Sequence, residues 1–483
     1  MAIKYTRFAR TGLPAPLMLP AGPAASGATM PAQAVRNPAM RSPAISTGKL
    51  HPFVILLLIS LVLPIYFNIG SLRLSPNRLL LIVAFVPATL RWLSGAAGRL
   101  RAADFWVIGL CFWVTVAMIA FGGTSTIQFS GITTIETLGA YLVGRAYIRT
   151  EAQYRAAMRV LGLLVLVLVP GALLESLTGI RIYNRVFSPI FPTFPWADYE
   201  LRLHMFRAQT VFEHPILYGV FTAFCFAPAL AIARMKAPRI TAGLRASPVL
   251  IATFFSLSMG AYLGLFVQFY LLAWGFVLRN VRKRWKILGV LVALAYVTVD
   301  ALSNRTPFQV FSSYLAFDAH TAYWRVLILK YGMENVWAHP VFGLGLGDWA
   351  RPDFMGTSSV DNFWLLFAMR YGIPGFILIF AVYLAVVIGL MRAKLTDPVL
   401  QAHRDALAFS FIGLGIAICT VHLWGATFVF MMFMLGAAAW LSDVKPDDPV
   451  SPETDETARR VMDRTGLIAR RPPAGSVSQA PRK

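Results

Sequence analysis

Charge is scarce in this chain, and acid is scarcer than base. Only 14% of the 483 residues are charged, with 22 Asp and Glu against 44 Lys and Arg, for a net charge of +22. Soluble domains average about 25% charged residues, so the composition excludes that class. Cysteine is nearly missing. The three present, Cys111, Cys225 and Cys419, all lie inside apolar runs, which argues against a disulfide framework and a metal site. The first fifty residues contain no acid and no apolar core of the signal-peptide kind. Neither long loop contains an Asp-x-Asp pair, so no metal is expected. No clear internal repeat is visible, and ionisable residues within the apolar runs are few, chiefly Glu136 and, near the end of its run, Glu175. Both facts weigh against a twelve-span transporter or flippase.

What the chain has in abundance is apolar length. Hydrophobic residues make up 57% of it and the mean hydropathy is +0.63. Runs near twenty residues recur from Pro52 to Leu441, each long enough to cross a hydrocarbon core of about 30 Å. The runs are continuous rather than alternating, which argues against a membrane β-barrel. The fold class is therefore an all-α polytopic membrane protein. The expected spans are about 52–69, 76–92, 104–122, 127–144, 158–176, 214–233, 248–260, 262–278, 287–303, 360–391, 406–422 and 425–441.

The positive charge gathers in short loops between these runs, for example Arg145, Arg149, Arg155 and Arg159, and Arg279, Arg282, Lys283, Arg284 and Lys286. That is the positive-inside pattern of a bacterial inner membrane protein and not a nucleic-acid surface. Twelve crossings with both termini cytoplasmic keep every basic loop inside. The segment 247–278 tests this count. It has basic flanks on both sides but falls short of the roughly 40 residues that two full crossings need. Its middle, "SLSMGAYLG", suggests two short helices meeting below the outer surface, where irregular backbone must be covered by protein or line a water-filled cavity.

Three regions are expected: a disordered cytoplasmic arm (1–50), a transmembrane domain (51–441), and a flexible cytoplasmic tail (442–483). Two long loops, about 177–213 and 304–359, fall on the periplasmic side and are rich in aromatics and proline. The second contains helical spacing near 319–337, with Tyr323, Val326, Leu327, Lys330, Tyr331 and Glu334 in register. A folded cap on the membrane surface is expected from these loops.

Several residues can carry chemistry. Arg207 and Arg325 stand near the cavity mouth, where a guanidinium fork fits phosphate oxygens; lipid headgroup contact is the plain alternative. Arg202 and Arg305 are weaker candidates of the same kind. His214 and His339 each precede Pro and fit a cap or turn as well as a proton carrier. Glu213 fits a base or a partner for Arg207. Asp361 heads the run "DNFWLLFAMRYGIPGF". It fits a helix cap or a carboxylate that takes a proton from an incoming hydroxyl.

In order along the chain, "RAQTVFEHPILYG", "SLSMGAYLG", "RVLILKYGMENVWAHPVFGLGLGDW" and "DNFWLLFAMRYGIPGF" resemble the O-antigen ligase and Wzy-type polymerase family, with the flavour of its exopolysaccharide polymerase branch. The family pattern His-Asn, nine residues, Gly-x-x-Gly is met here by Asn362 and Gly372 to Gly375, with Asp361 where the family has His. Met259 stands where ligases commonly carry Arg. The resemblance implies a membrane glycosyltransferase with its active site facing the periplasm. The donor would be a glycan linked to undecaprenyl diphosphate and the acceptor a sugar hydroxyl. Asp361 would be the base, Arg207 and Arg325 the diphosphate contacts, and Arg305, His214, Glu213, His339 and Asn362 substrate-binding residues. It implies no cofactor. Its partners would be the lipid bilayer and polysaccharide co-polymerase and export proteins, with no nucleic acid. Polymerisation of exopolysaccharide or O-antigen repeat units is the leading expectation. Ligation to lipid A core, or a non-enzymatic transport or assembly role, is the alternative.

Overall fold

Proline and glycine punctuate a chain of helices. The computed structural model describes residues 49–70, 72–195, 201–314 and 319–444. The expected arm up to residue 48, the expected tail from 445 and the 196–200 stretch of the first long loop lie outside the described residues. α1 (Pro52–Ser60) begins with Pro under a His51 cap. It ends before Pro64, which has no N–H to continue a helix and biases its predecessor to extended backbone. The β-forming residues that follow make an antiparallel hairpin, β1 (Phe67–Ile69) with β2 (Leu72–Leu74). The expected span 52–69 is thus a short helix plus a hairpin.

α2 (Pro76–Leu93) and α3 (Ala102–Gly122) follow. At Gly123 (φ 61°, ψ −153°) the chain folds back into α4 (Ile127–Thr134) and, after a π turn at Ile135–Gly139, α5 (Ala140–Tyr147). α6 (Glu151–Thr178) and the short α7 (Ile182–Phe187) lead into the first long loop. Then come α8 (Pro215–Phe224), α9 (Phe226–Lys236), α10 (Arg239–Phe255), α11 (Met259–Val277) and α12 (Arg284–Leu302). The second long loop holds α13 (Pro307–Tyr314) and α14 (Ala319–Ala338), the latter where helical spacing predicts it. α15 (Phe363–Arg392), α16 (Pro398–Ala417) and α17 (Gly425–Ala437) complete the bundle.

The fold is an all-α polytopic membrane architecture. Among the described residues, seven helical runs are long and apolar enough to cross a bilayer. α10 starts at Arg239, well before the apolar stretch, and carries Arg245 within it. The pair α10–α11 is accordingly longer than hydropathy suggests, and Arg245 is a helix residue rather than a loop residue.

Close helix approach holds the bundle, as expected where lipid removes the hydrophobic drive between helices. α5 and α17 touch backbone to backbone: a Cβ on Gly144 would lie 2.2 Å from the Phe433 carbonyl, and one on Gly436 would lie 2.0 Å from that of Tyr141. Beside this contact, Arg145 is fully buried. It pairs with Asp104 at 3.2 Å and donates to the carbonyls of Ala97 and Arg99. Asp443 also binds Arg101 and Arg149, so the 97–101, 145–149 and 442–443 segments converge at one end.

α15 is broken at Gly372 (φ 71°, ψ 179°), two residues before Pro374. A break inside an apolar environment frees carbonyls that must find donors. The "GLGLG" segment supplies them: Leu344 N donates to the Met369 carbonyl at 2.7 Å and Gly345 N to that of Arg370 at 3.0 Å. In return Ile373 N donates to the Pro340 carbonyl at 2.8 Å, and the Trp113 indole N–H donates to the Tyr371 carbonyl at 2.8 Å. The two backbones cross so closely that a Cβ on Gly372 would lie 1.9 Å from the Val341 oxygen. Gly372→Ala should therefore lose at least about 2 kcal/mol of stability. Gly243→Ala, on open helix surface, should gain about 0.4–1 kcal/mol. Thermal unfolding of the purified variants in one detergent checks both.

Candidate functional site

The loop before α8 is tied down from two sides. Buried Glu175, near the end of α6, accepts from Gln209 N at 3.1 Å and Thr210 N at 2.8 Å, with Arg181 Nε at 3.6 Å. Phe206 N donates to the Ser176 carbonyl, and Ala208 N donates to the Phe255 carbonyl at the end of α10. Thr210 is held at φ 52°. Arg207 therefore projects from backbone pinned on both flanks. Its neighbour Arg202 comes from a tight turn (Leu203 φ 52°, His204 φ 58°) and donates to the Leu257 carbonyl at 2.8 Å. That carbonyl belongs to the Ser256–Ser258 turn joining α10 to α11.

A second frame carries Asp361. Asn335, buried on α14, bonds both the N–H and the carbonyl of Ala350, at 2.9 and 2.7 Å. The Trp349 indole donates to the Ser358 carbonyl at 3.0 Å. Leu327, Ile328, Trp349, Met355, Val360 and Leu365 form a small core of their own. This packing joins α14 to the first turns of α15 through the 339–362 segment. The cap of α15 is Asn362, whose side chain accepts from Leu365 N at 3.0 Å. Asp361 lies one residue outside the cap and accepts from the Ser359 hydroxyl at 3.1 Å.

These frames meet around one cleft of about 530 Å³. Arg202, Arg207, His214, Arg325 and Asp361 line it, with the Ser258–Met259 end of the α10–α11 turn. Three arginines face one carboxylate, so the cleft is cationic. Arg202 sits beside Met259, supplying a guanidinium next to the position where the resemblance leads one to miss an arginine. Its proximity depends on a turn with two positive φ angles in non-glycine residues, which residue types do not announce. His320 also lines the cleft and accepts from the Trp324 indole at 2.5 Å.

His214 caps α8: its Nδ1 accepts from Ile216 N at 3.0 Å. Burial, then Arg207 and Arg202, push its pKa down to about 3. It is a neutral imidazole at physiological pH, with Nδ1 committed as acceptor.

The other predicted residues lie elsewhere. Arg305 is exposed in the turn between α12 and α13, away from the cleft lining. His339 is exposed at the C-terminal end of α14, where its backbone continues the turn from Asn335 O to Gly343 N. Asn362 is buried and serves as the cap. Glu213 faces a second cavity on the far side of His214 and accepts from the Trp424 indole at 2.6 Å.

Residues 246–380 match the family described as O-antigen ligase. The matched stretch contains Ser258, Arg325, Asp361 and Asn362, whereas Arg202, Arg207 and His214 precede it. The match supports an O-antigen ligase or Wzy-type family, and with it glycosyl transfer of the ligase or polymerase type on lipid-linked glycans in a membrane. No curated protein matches the chain.

Two measurements test the local assignments. Asn362→Ala should cost about 0.5–2 kcal/mol of stability through loss of the cap. Asp361→Ala should stay within about 0.5 kcal/mol of wild type, as read by thermal unfolding. The depressed pKa of His214 stabilises the fold fully above the ordinary histidine value of 6.5, and this contribution is lost as pH falls from 6.5 toward about 3. His214→Asn keeps a capping residue and should flatten the pH dependence of unfolding in that window. A residual slope should remain from His422, which burial and Arg370 also hold down to about 3.

Proposed function

From the O-antigen ligase match we propose that this chain transfers a glycan from undecaprenyl diphosphate to a sugar hydroxyl at the periplasmic face of the inner membrane, and that it extends polysaccharide repeat units. This reading keeps both termini cytoplasmic and makes the two long loops a periplasmic cap. One observation carries this reading: Arg202, Arg207, Arg325 and Asp361 share a single cationic cleft.

The chemistry follows from those groups. The donor diphosphate lies against the arginines, whose planar donor forks match its oxygens. The acceptor oxygen attacks the anomeric carbon, and the bond from that carbon to the phosphate oxygen breaks. The diphosphate leaves with the bonding pair, and its growing negative charge is stabilised by guanidinium groups already in place. The hydroxyl proton passes to the Asp361 carboxylate. Neutral His214, with Arg207 and Arg202 beside it, is a positioning residue. The loop cap orients the two glycans, which supplies rate by holding reactants together.

Ligation is the second reading, favoured by the description of the matched family. The aspartate in the position of the family histidine favours polymerisation. Purified protein supplied with lipid-linked oligosaccharide alone should yield longer chains; product only when lipid A core is added would favour ligation. Asp361→Asn should lower turnover by about 10²–10⁴-fold with the fold intact by unfolding temperature. Unchanged polymer length would leave Asp361 without a role in the chemistry.

A further inference from the structure

The cleft has a neighbour. A second cavity of about 480 Å³ lies behind the wall made by Glu213–His214 and the Thr420–Trp424 turn. Each segment passes from one space to the other. His214, Thr420 and Val421 line the first space, whereas Glu213, His422 and Trp424 line the second. The start of α15 runs from one to the other: Asp361, just before its cap, lines the first and Arg370, in its third turn, lines the second.

The second cavity holds more positive charge than its own carboxylates neutralise. Arg78 is paired to Glu136 at 2.6 Å across the π turn and donates to the Arg73 carbonyl. One oxygen of Glu213 is taken by the Trp424 indole. Arg73 and Arg370 have no carboxylate within ion-pairing distance among the described residues. Arg73 instead rests over the Tyr66 ring at 3.9 Å. Asn77, 3% exposed, also lines this space, and its buried amide nitrogen has no partner among the described residues. A buried amide donor without a partner is costly unless something fills the site. Phe129, Phe367 and Phe428 supply an apolar wall. Ionisable groups at membrane level are expensive and mark a binding or transport role, and a π turn at Glu136 is the local distortion often found at such sites.

We propose that this cavity is a second phosphate site, formed by Arg73, Arg370 and Asn77, which holds the phosphorylated head of an acceptor glycolipid while its glycan reaches Asp361 past the dividing wall. The assignment rests on the glycosyl-transfer reading of the first cleft. It adds that the chain binds two phosphorylated lipids at once, one on each side of His214.

Counting bound lipid tests it. The full chain in nanodiscs, titrated with undecaprenyl diphosphate and weighed intact by mass spectrometry, should bind two molecules. Arg370→Gln should weaken one site at least about tenfold, the loss of one charge-assisted contact worth about 1.5–3 kcal/mol, and leave the other unchanged. Arg207→Gln should do the converse, and Arg370→Lys should keep both. A parallel titration with phosphorylated lipid A identifies the source of the phosphate. Lipid A bound in an Arg370-dependent way, with only one undecaprenyl diphosphate, still supports the site and makes the acceptor lipid A. A single undecaprenyl diphosphate released by Arg207→Gln, with no Arg370-dependent binding of either lipid, overturns the second site and leaves the first cleft standing. Two sites with neither sensitive to Arg207→Gln would instead sink the reading of the first cleft.

Discussion

A broken helix in an apolar medium has to hand its hydrogen bonds to another segment, and the rest of this structure is arranged around that transfer. Gly372 breaks α15, and the carbonyls of Met369 and Arg370 are taken up by Leu344 and Gly345. The exchange fixes the 339–362 segment against α15. That segment in turn carries the Trp349 bond to Ser358 and thereby sets Asp361 beside the cleft. The glycines of "GLGLG" and Gly-x-x-Gly serve this crossing. They are where two backbones meet without side chains between them.

The arginines are held by a complementary device. Glu175 spends its carboxylate on the backbone of 209–210, with Arg181 behind it. The backbone that carries Arg207 is thereby fixed by this buried acid. Catalytic clefts gain from charges fixed before the substrate arrives, and a buried acid that pins the main chain beside the arginine contributes to this.

Much of this was legible from residue order. Apolar length gave the membrane class, and helical spacing gave α14 within a residue of its observed bounds. The share of Arg207, Arg325 and Asp361 in one region followed from loop placement and resemblance. The illegible parts depend on single-residue geometry. Ser358, Ser359, Asp361 and Asn362 are all good caps by type, and only the extended backbone of Asn362 (φ −157°) decides which one is used. Glu213 and His214 are adjacent in sequence, yet they face different cavities because the backbone at His214 is extended (φ −155°, ψ 145°) ahead of α8, and successive side chains of extended backbone point to opposite sides. Arg73, Arg78 and Arg370 meet only through tertiary packing. The signal that could have found their cavity was Glu136 inside an apolar run, an acid that needs a partner. The first span was misjudged because hydropathy does not separate a helix followed by a hairpin from one longer helix; Pro64 was the mark.

α12 and α17 make a last contrast. Both are apolar, but α17 is buried from Thr427 to Ala437, whereas only Leu288 of α12 is. To lipid, α12 is little more than a greasy rod of the right length. Its spelling is therefore nearly free: one bulky aliphatic residue serves as well as another. The spelling of α17 is fixed letter by letter by its neighbours. Drift among descendants of this chain should collect on the rod and spare the keystone.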